Sequence, residues 1–333
     1  MTNSPHPKKL LNILLLLTIL VSWGCPASEK TPPDPPLKLS LAVQPTLFSG
    51  LIAIADEKGY FKEEGLDLSI ALYPSGRASL EAVALGKAQV ATVSDFAFAA
   101  KTLEDPSVRV LASIGTTVGD RIVARRDKNI HHPDDLRGKK VGFAAGTTND
   151  YFLYTFLLTQ KIPQEDITFV DIPAEQHVEA LIKGDVDAIS TFETYAFEAE
   201  KHFGDTIVLW DSQNNLAYHW FLAVKAHLLQ SPEPLKRLFR ALIKAEDFAR
   251  GNQEETKRIV SQKWNFEPSF VQQFWWRTRM SVSFGQSIVT SLQNYTRWQM
   301  KKAGESAEPP DVINFLHPGL LKEVDPSLVT IYG

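Results

Sequence analysis

Residues 85–94 read LGKAQVATVS, and residues 181–190 read LIKGDVDAIS. Both stretches follow one pattern, in which a helical segment ends, the chain turns tightly, and a short apolar strand follows. Each strand then releases polar residues at its carboxyl end, which are Ser94 and Asp95 in the first copy and Ser190, Thr191 and Glu193 in the second. Ligands of open α/β sheets bind beyond the carboxyl ends of strands, so two such ends predict one ligand held between two lobes.

The alternation of strands and helices extends over residues 37–202. Short apolar runs, such as 37–43 and 66–72, are separated by helical patterns that end near glycines. This alternation predicts an α/β fold of two lobes, each a mainly parallel sheet flanked by helices. From residue 234 to about residue 302 the apolar spacing is helical, so we expect a helical C-terminal region.

Length and composition narrow the class of protein. The chain has 333 residues, of which 44% are hydrophobic and 22% charged, which is enough for two folded domains. The net charge of −4 argues against nucleic acid as a partner. The eight histidines show no metal-ligand spacing, so neither a metal nor another cofactor is expected.

The first 25 residues have the pattern of an export signal. Lys8 and Lys9 precede an apolar run over residues 10–21, which is too short to span a bilayer comfortably. The run leads to Cys25, the sole cysteine, in an arrangement that resembles a bacterial lipobox with Cys25 as the lipidated residue. An ordinary cleaved signal and an uncleaved anchor are the alternatives. Residues 26–36 are rich in proline and predict an extended tether.

Four short motifs carry a resemblance to a known family. They are ADEKGYFKEEGL at residues 55–66, DLRGKKVG at 135–142, Gly146-Thr147 at a helix start, and ALIKGDVDA at 180–188. In this order they resemble the nitrate-, sulfonate- and taurine-type branch of the periplasmic solute-binding proteins, the SsuA/Thi5-like or NMT1-like family. The similarity extends over about residues 37–250.

The resemblance implies a two-lobed, type II periplasmic-binding-protein fold. One lobe would comprise residues 37–120 and 218–333, and the other residues 121–217. The lobes would close around a small solute that is nitrate-, sulfonate- or taurine-like, or pyrimidine-like, and deliver it to an ABC permease in the inner membrane. The protein would then be a monomer in the periplasm or another extracytoplasmic space, held to a membrane by a lipid on Cys25.

The expected solute contacts lie where strands end and helices begin. Backbone N–H groups at the helix start over residues 146–149 could hold an anion, whereas Asp95 and Glu193 would repel one and favour a cationic or donor-rich solute. The sign of the solute's charge therefore stays open. The candidate ligand-binding residues are Gln44, Thr46, Ser75, Gly76, Ser94, Asp95, Thr116, Thr117, Gly146, Thr147, Thr148, Asn149, Thr191, Glu193 and His219.

Two other functions would suit the same fold. The first is an enzyme like the Thi5-type pyrimidine synthases, but that group carries a cysteine-rich segment, and here Cys25 stands alone. We therefore expect no catalytic residues. The second is the ligand-sensing lobe of a membrane receptor, which the sequence does not exclude.

Overall fold

A computed structural model describes residues 1–2, 35–211 and 217–331 of the chain. The chain divides into two units, Met1–Pro35 and Pro36–Gly333, and the fold described here is that of the second unit. Cys25 and nearly all of the predicted signal and tether lie outside the described residues. Within those residues, no helix has both the length and the apolar character that crossing a bilayer requires.

Twelve strands are present in the described part of the chain. In chain order they are β1 (Leu37–Val43), β2 (Leu66–Leu72), β3 (Val90–Ser94), β4 (Val108–Thr117), β5 (Arg121–Arg125), β6 (Lys140–Phe143), β7 (Thr168–Asp171), β8 (Ala188–Thr191), β9 (Ile207–Asp211), β10 (Tyr218–Lys225), β11 (Thr278–Gly285) and β12 (Val329–Thr330).

Twelve α-helices accompany these strands over the same described ranges. They are α1 (Gly50–Glu57), α2 (Tyr60–Glu63), α3 (Gly76–Ala84), α4 (Asp95–Glu104), α5 (Thr148–Thr159), α6 (His177–Lys183), α7 (Glu193–Phe203), α8 (Glu233–Gly251), α9 (Gln253–Trp264), α10 (Pro268–Phe274), α11 (Gln286–Lys302) and α12 (Gly319–Val324).

The strands form two separate sheets. A seven-stranded sheet has the order β12-β11-β4-β10-β3-β1-β2, and a five-stranded sheet has the order β7-β6-β8-β5-β9. We call the part built on the first sheet the larger lobe and the part built on the second the smaller lobe. The chain leaves the larger lobe through residues 118–120, between β4 and β5, and returns to it between Asp211 and Tyr218.

The two-lobed α/β fold is confirmed, but both sheets are mixed rather than mainly parallel. Parallel pairs join β1 to β2 and β3, β11 to β12, and β6 to β7 and β8. Antiparallel pairs join β10 to β3 and β4, β11 to β4, and β5 to β8 and β9. The expectation of mainly parallel sheets is wrong because β5 and β10 enter their sheets from the other lobe, at the carboxyl ends of β8 and β3, and therefore run antiparallel to those strands.

The two copies of the helix–turn–strand repeat have the same local structure, two residues out of the register read from the sequence. The Gln89 side chain accepts a hydrogen bond from the Ser40 N–H at 3.0 Å, and the Asp187 side chain accepts one from the Lys140 N–H at 3.0 Å. Each side chain thus stands just before its strand, β3 or β8, and fixes it to the neighbouring strand of the sheet, β1 or β6. Gln89 therefore corresponds to Asp187 in the structure. Residues 85–94 and 181–190, compared as sequences, instead place Gln89 opposite Asp185.

The corrected register changes which residues are equivalent. Gly86 and Gly184 both end a helix with positive φ, at 71° and 77°, a conformation that glycine adopts without strain. Asp95 and Glu193 become equivalent as the first residues of α4 and α7, and both are buried. One acid thus stands at the start of a helix in each lobe.

The expectation of a helical C-terminal region is wrong over one segment. β11 lies between α10 and α11 and pairs with β4, so it extends the larger sheet. The side chains of Val282 and Phe284 are buried in the core, and Met280 packs against it. This apolar residue at every second position is the strand pattern, and it was hidden within a long run of helical spacing.

The core of the larger lobe is centred on β3, β10 and β4. All five residues of β3 are buried, and Phe221 of β10 is fully buried between β3 and β4. The Phe221 ring packs edge-on against Phe98 of α4 with the centroids 5.9 Å apart. This packing holds the carboxyl end of β3, and hence Ser94, in place.

We predict that Phe221→Ala destabilises the protein by about 3–5 kcal/mol, because it removes a large ring from a core that cannot collapse around the gap. Urea unfolding followed by circular dichroism measures the loss. Trp276→Ala is the control, because the Trp276 side chain is 73% exposed, and its effect should stay within about 0.5 kcal/mol. Equal losses for the two variants would contradict this assignment of the core.

Candidate functional site

A cleft lies between the two lobes and encloses about 560 Å³ of space between atoms, part of it open to solvent. The larger lobe lines it with residues 44–48 after β1, residues 75–77 after β2, and Ser94 at the end of β3. The smaller lobe lines it with Thr147 and Thr148 at the start of α5 and with residues 192–194 at the start of α7. The carboxyl ends of strands in both lobes therefore face one space, as the sequence predicts.

The helix starts that reach the cleft differ between the lobes. In the larger lobe, side-chain oxygens of Thr46, Ser75 and Ser94 accept hydrogen bonds from backbone N–H groups of their own helices at 3.0–3.2 Å. In the smaller lobe, α5 and α7 begin without a side-chain cap, and the Thr147 hydroxyl donates instead to the Ala144 carbonyl at 2.7 Å. Among the described helix starts that line the cleft, those of α5 and α7 in the smaller lobe therefore leave the positive end of the helix dipole without a side-chain cap.

Aromatic rings form much of the cleft wall. Phe48 meets Trp220 edge-on with the centroids 4.7 Å apart, and Tyr218 edge-on at 5.8 Å. Phe192 and Phe270 line the same space. Flat apolar walls of this kind favour a ring-shaped solute, because stacking and edge contacts add to the free energy of burial.

Gly76 allows Trp220 to lie this close to α3. A β-carbon on Gly76 would lie 2.9 Å from Cη2 of Trp220 and 3.0 Å from the Val93 Cα atom. The backbone at Val93 cannot give way, so a larger residue at position 76 would displace the ring from the cleft wall. Gly76 thus acts by its lack of a side chain.

Among the described residues that line the cleft, Glu193 is the one with an acidic side chain. It opens α7, is only 6% exposed, and accepts a hydrogen bond from the Thr117 hydroxyl at Oε1 over 3.2 Å. Burial raises the pKa of Glu193 to about 7, although Thr117 and the positive charges of Arg277 and Arg121 partly offset the rise. Near neutral pH this carboxyl group can therefore accept or donate a hydrogen bond.

The segment that links the lobes packs directly on Glu193. A β-carbon on Gly119 would lie 2.6 Å from the carboxyl carbon of Glu193, far inside the contact distance. Glycine at position 119 therefore sets the position of the carboxyl group. Gly119 was not among the residues predicted from the sequence. It contacts an acid that is distant in the chain, and such a contact leaves no local sequence pattern.

Two more buried acids lie near Glu193. Burial raises the pKa of Asp120 to about 8, and the nearby charge of Glu193 adds to the rise. Burial also raises the pKa of Asp95 to about 7, against hydrogen bonds from the backbone of His219 and Phe96. Burial, together with the charges of all three acids, raises the pKa of Tyr218 well above its ordinary value. The seam between the lobes is thus an acidic, desolvated region.

Eight of the candidate residues named from the sequence line the cleft, and seven do not. Those in the lining are Gln44, Thr46, Ser75, Gly76, Ser94, Thr147, Thr148 and Glu193. Those outside it are Asp95, Thr116, Thr117, Gly146, Asn149, Thr191 and His219.

Most polar groups outside the lining are hydrogen-bonded within the protein, although Nδ2 of Asn149 is buried and has no partner among the described residues. The Asp95 carboxyl group accepts the His219 N–H at 3.0 Å, and Thr191 shares a hydrogen bond with Nδ1 of His177 at 2.9 Å. Asn149 Oδ1 accepts the Ala144 N–H at 2.9 Å.

The remaining members of this set have structural contacts as well. The Gly146 N–H donates to Asp150 at 3.1 Å, and Thr117 donates to Glu193. Thr116 pairs with His219 in the β4–β10 ladder. Residues at strand ends thus divide between the cleft and the satisfaction of buried backbone groups.

Arg121 lies where the chain crosses between the lobes, but its guanidinium group contacts other residues of the protein. Its Nε atom lies 2.7 Å from Asp211 Oδ1, and its guanidinium lies over the Phe274 ring, 4.9 Å from the centroid. Arg277 contacts the same Asp211 at 2.7 Å. Arg77 is the arginine in the cleft lining, and it donates to the Ala145 carbonyl of the smaller lobe at 3.1 Å.

Contacts between the lobes lie on both sides of the cleft. On one side Tyr151 of α5 packs edge-on against Trp298 of α11, 5.2 Å between centroids, and Lys302 contacts Asp150 at 2.6 Å. On the other side Phe197 of α7 packs against Phe270 of α10 at 5.5 Å, and Lys201 pairs with Glu267. These contacts hold the two lobes together in the conformation seen here.

The chain belongs to the NMT1/THI5-like family, whose family model matches residues 48–256. It is 23% identical over 217 residues to a putative binding protein of Brucella abortus, covering 64% of this chain and 67% of that protein. It is 22% identical over 258 residues to the formylaminopyrimidine-binding protein of Halalkalibacterium halodurans, covering 76% of this chain and 78% of that protein.

Solved structures show the same fold. The alkanesulfonate-binding protein SsuA from Xanthomonas axonopodis pv. citri, bound to MOPS, matches with a TM-score of 0.72 at 14% identity, over 85% of this chain and 98% of that one. The desulfurization enzyme DszB matches with a TM-score of 0.67 at 15% identity, over 87% of this chain and 99% of that one. The fold therefore serves both binding proteins and an enzyme, and the residues of the site must decide the function.

The buried acids predict how stability depends on pH. Asp95, Asp120 and Glu193 have folded-state pKa values of about 7, 8 and 7, above their ordinary values. Between their ordinary pKa values of about 4 and their folded-state values, these three groups bind more protons in the folded state, so their contribution to stability falls as the pH rises from about 4 to about 8. Asp120→Asn removes one of these groups, and its melting temperature should therefore rise relative to that of the wild type as the pH increases. A difference in melting temperature that stays constant with pH would contradict the burial of an ionisable Asp120.

We predict that Gly119→Ala leaves the protein folded but displaces the Glu193 side chain, because the new methyl group would lie only 2.6 Å from its carboxyl carbon. The expected sign is a change in the pKa of Glu193, measured by NMR titration of its side-chain carboxyl carbon. Gly251→Ala is the control, since a β-carbon there meets open space. An unchanged Glu193 titration in Gly119→Ala would contradict the contact.

Proposed function

We propose that this protein is the extracytoplasmic solute-binding component of an ABC import system, and that its solute is a small, flat, nitrogen-rich ring with N–H donors, of the aminopyrimidine kind. The observation that carries the proposal is the buried carboxyl group of Glu193 on an aromatic cleft wall. Membership of a family that includes named binding proteins supports the role. The similarity to a formylaminopyrimidine-binding protein agrees with the chemistry of the cleft.

A carboxyl group and an aminopyrimidine are complementary. The amino group and the adjacent ring nitrogen of such a ring can make two parallel hydrogen bonds to one carboxyl group. Thr117 donates to Oε1 of Glu193, and no donor within the described residues reaches Oε2. Because the pKa of Glu193 lies near 7, the proton of such a pair can reside on either partner.

The cleft is less suited to a sulfonate or nitrate ion. The uncapped start of α5 at Thr147 would attract an anion. However, Glu193 lines the same space, and Asp120 adds a second buried acid nearby. The cationic Arg77 already donates to a backbone carbonyl across the cleft. An oxyanion would therefore enter a region whose buried side chains carry its own sign of charge.

The contacts between the lobes support a role in delivery. A binding protein reports its loaded state by closing, and a permease recognises the closed form through its differential affinity for it. The Tyr151–Trp298 and Lys302–Asp150 contacts join the lobes beside the cleft, so they form only when the lobes are close. We place the protein outside the cytoplasm, held to a membrane through Cys25, as the export-signal pattern of the first 25 residues indicates.

Isothermal titration calorimetry tests the proposal with an aminopyrimidine, taurine, an alkanesulfonate and nitrate. We expect binding of the aminopyrimidine alone and a loss of at least about tenfold in affinity for Glu193→Gln, which corresponds to about 1.4 kcal/mol. Glu198→Gln, an exposed residue on the same helix α7, is the matched control and should bind as the wild type does.

Two results would count against this function. Binding of an anion in preference to the aminopyrimidine would overturn the proposed solute class, and unchanged affinity in Glu193→Gln would remove the carboxyl group from the site. Mass spectrometry of the released solute separates binding from catalysis, since a binding protein returns its solute unaltered.

A further inference from the structure

A groove lies between the two lobes outside the cleft, where α5 of the smaller lobe meets α11 of the larger lobe. Within the described part of the chain it shares no lining residue with the cleft. It encloses about 940 Å³ of space between atoms, part of it open to solvent, and water can enter about 440 Å³ of it. Small-molecule sites typically have volumes of about 300–1,000 Å³, so the groove has room for a ligand of its own.

Aromatic side chains form the walls of this groove. From the smaller lobe, Phe143 and Phe169 meet edge-on with their centroids 5.9 Å apart. Trp298 of α11 meets Tyr154 of α5 edge-on at 5.4 Å, so these two rings belong to different lobes. Phe169 is 38% exposed, and Tyr154 and Trp298 are partly exposed. Exposed ring surface around one cavity favours a flat aromatic ligand, whose binding removes that surface from water.

The groove carries an excess of positive charge. Its charged lining residues within the described chain are Lys301, Lys302 and Asp150, which gives two positive charges and one negative charge. Lys302 Nζ contacts both carboxylate oxygens of Asp150, at 2.6 and 2.7 Å, so these two charges compensate each other. Lys301 is exposed and pairs with no acid among the described residues. One positive charge is therefore left for an anionic group.

The place of Lys301 in its helix does not by itself explain its place in the groove. A lysine in the last turn of α11 stabilises the helix through its dipole. That stabilisation is the same on every face of the helix, whereas Lys301 stands on the face that lines the aromatic groove. Lys302 Nζ lies 5.0 Å from the Trp298 ring centroid, so a cation at this helix end reaches the aromatic wall.

We propose that this groove is a second binding site, for a small molecule that combines one aromatic ring with one carboxylate group. The ring packs among Tyr154, Phe169 and Trp298, and the carboxylate pairs with Lys301. An exposed ion pair contributes little to affinity, so the ring supplies most of the binding and the charge selects among rings. A protein partner would need a far larger surface, since specific protein interfaces bury about 1,200–2,000 Å² in total.

A ligand in the groove favours the arrangement of the lobes seen here. Phe143, Tyr154 and Phe169 belong to the smaller lobe, and Trp298 and Lys301 belong to the larger one, so one bound molecule contacts both. A solute in the cleft also contacts both lobes under the proposed function, and only this coupling rests on that function. Each ligand then raises the affinity of the other by the same factor, because the two binding equilibria are linked.

Ligand-observed NMR titrations of the full chain at pH 7 test the site with three probes. Phenylacetate combines a ring with a carboxylate, phenylethanol has the ring alone, and acetate has the carboxylate alone. We expect phenylacetate to bind about three- to fivefold more tightly than phenylethanol, as an exposed ion pair allows, and acetate not to bind measurably. The preference for phenylacetate should decline as salt is added, because salt screens exposed charges.

Two variants separate the charge from the ring wall. Lys301→Gln should abolish the preference for phenylacetate and leave the affinity for phenylethanol unchanged. Phe169→Ala removes part of the wall and should weaken the binding of both probes by at least about threefold. Both mutated side chains are exposed, so neither change should prevent folding. Lys87→Gln is the matched control, because Lys87 is an exposed lysine of the larger lobe outside the groove.

A further pair of measurements separates the groove from the cleft. Phenylacetate should bind Glu193→Gln as it binds the wild type, and a saturating aminopyrimidine should raise its affinity. Competition between the two ligands would place phenylacetate in the cleft and overturn the second site. A preference for phenylacetate that persists in Lys301→Gln would overturn it as well.

Failure of the proposed function has a different signature. If the aminopyrimidine does not bind but phenylacetate binding depends on Lys301 and Phe169 as expected, the second site stands and the proposed solute class fails. If none of the three probes binds, the second site is overturned. A sedimentation coefficient that then rises with protein concentration in the wild type, but not in Phe169→Ala, would show that a second copy of the chain covers the groove instead.

Discussion

The Glu193 side chain packs directly against Gly119, and the arrangement of the two lobes around the cleft depends on that contact. It brings the first turn of α7, in the smaller lobe, against the segment through which the chain leaves the larger lobe. The same carboxyl group lines the cleft. A movement of one lobe relative to the other must therefore shift this carboxyl group against the linking segment. A solute that binds Glu193 thus favours one lobe arrangement over others by direct contact, which is the physical requirement for a ligand to shift a conformational equilibrium.

Burying acids between the two lobes costs free energy, because burial opposes their charged form. Asp95 and Glu193 occupy equivalent positions at the starts of α4 and α7, yet only Glu193 reaches the cleft. The Asp95 side chain is shorter than that of Glu193, and its carboxyl group accepts hydrogen bonds from the backbone N–H groups of Phe96 and His219. Burial opposes the charged form of both acids. Asp95 thus has a structural role, whereas the Glu193 carboxyl group faces the cleft. The difference arises because backbone N–H groups, including that of His219 on the neighbouring strand β10, are placed to bind the Asp95 carboxyl group.

The sequence was sufficient for those parts of the structure that local pattern governs. Strands such as β1, β2 and β5 have the bounds that their apolar runs predict, and the two-lobed fold follows from their alternation with helices. β11 was missed because a single strand lies inside a long region of helical spacing, and the mixed sheets were missed because pairing between distant strands leaves no local mark. The candidate site was predicted where helix starts approach the cleft, as at Ser75 and Thr147. Phe192, Phe270 and Asp120 were not predicted, since their positions depend on distant segments meeting.

Asp150 contacts both the loop beside the cleft and a half-exposed lysine of the other lobe. Its carboxyl group accepts the Gly146 N–H, in the loop that precedes the cleft-lining Thr147, and also contacts Lys302 at the end of α11 in the other lobe. Lys302 is half-exposed, whereas Asp150 is buried. One anionic group therefore anchors both the loop that precedes the cleft-lining Thr147 and a half-exposed cation of the other lobe. Because Asp150 is buried, dissolved salt screens this charge pair less than it screens a pair of exposed charges, so the link between α5 and α11 persists at ionic strengths that weaken surface ion pairs.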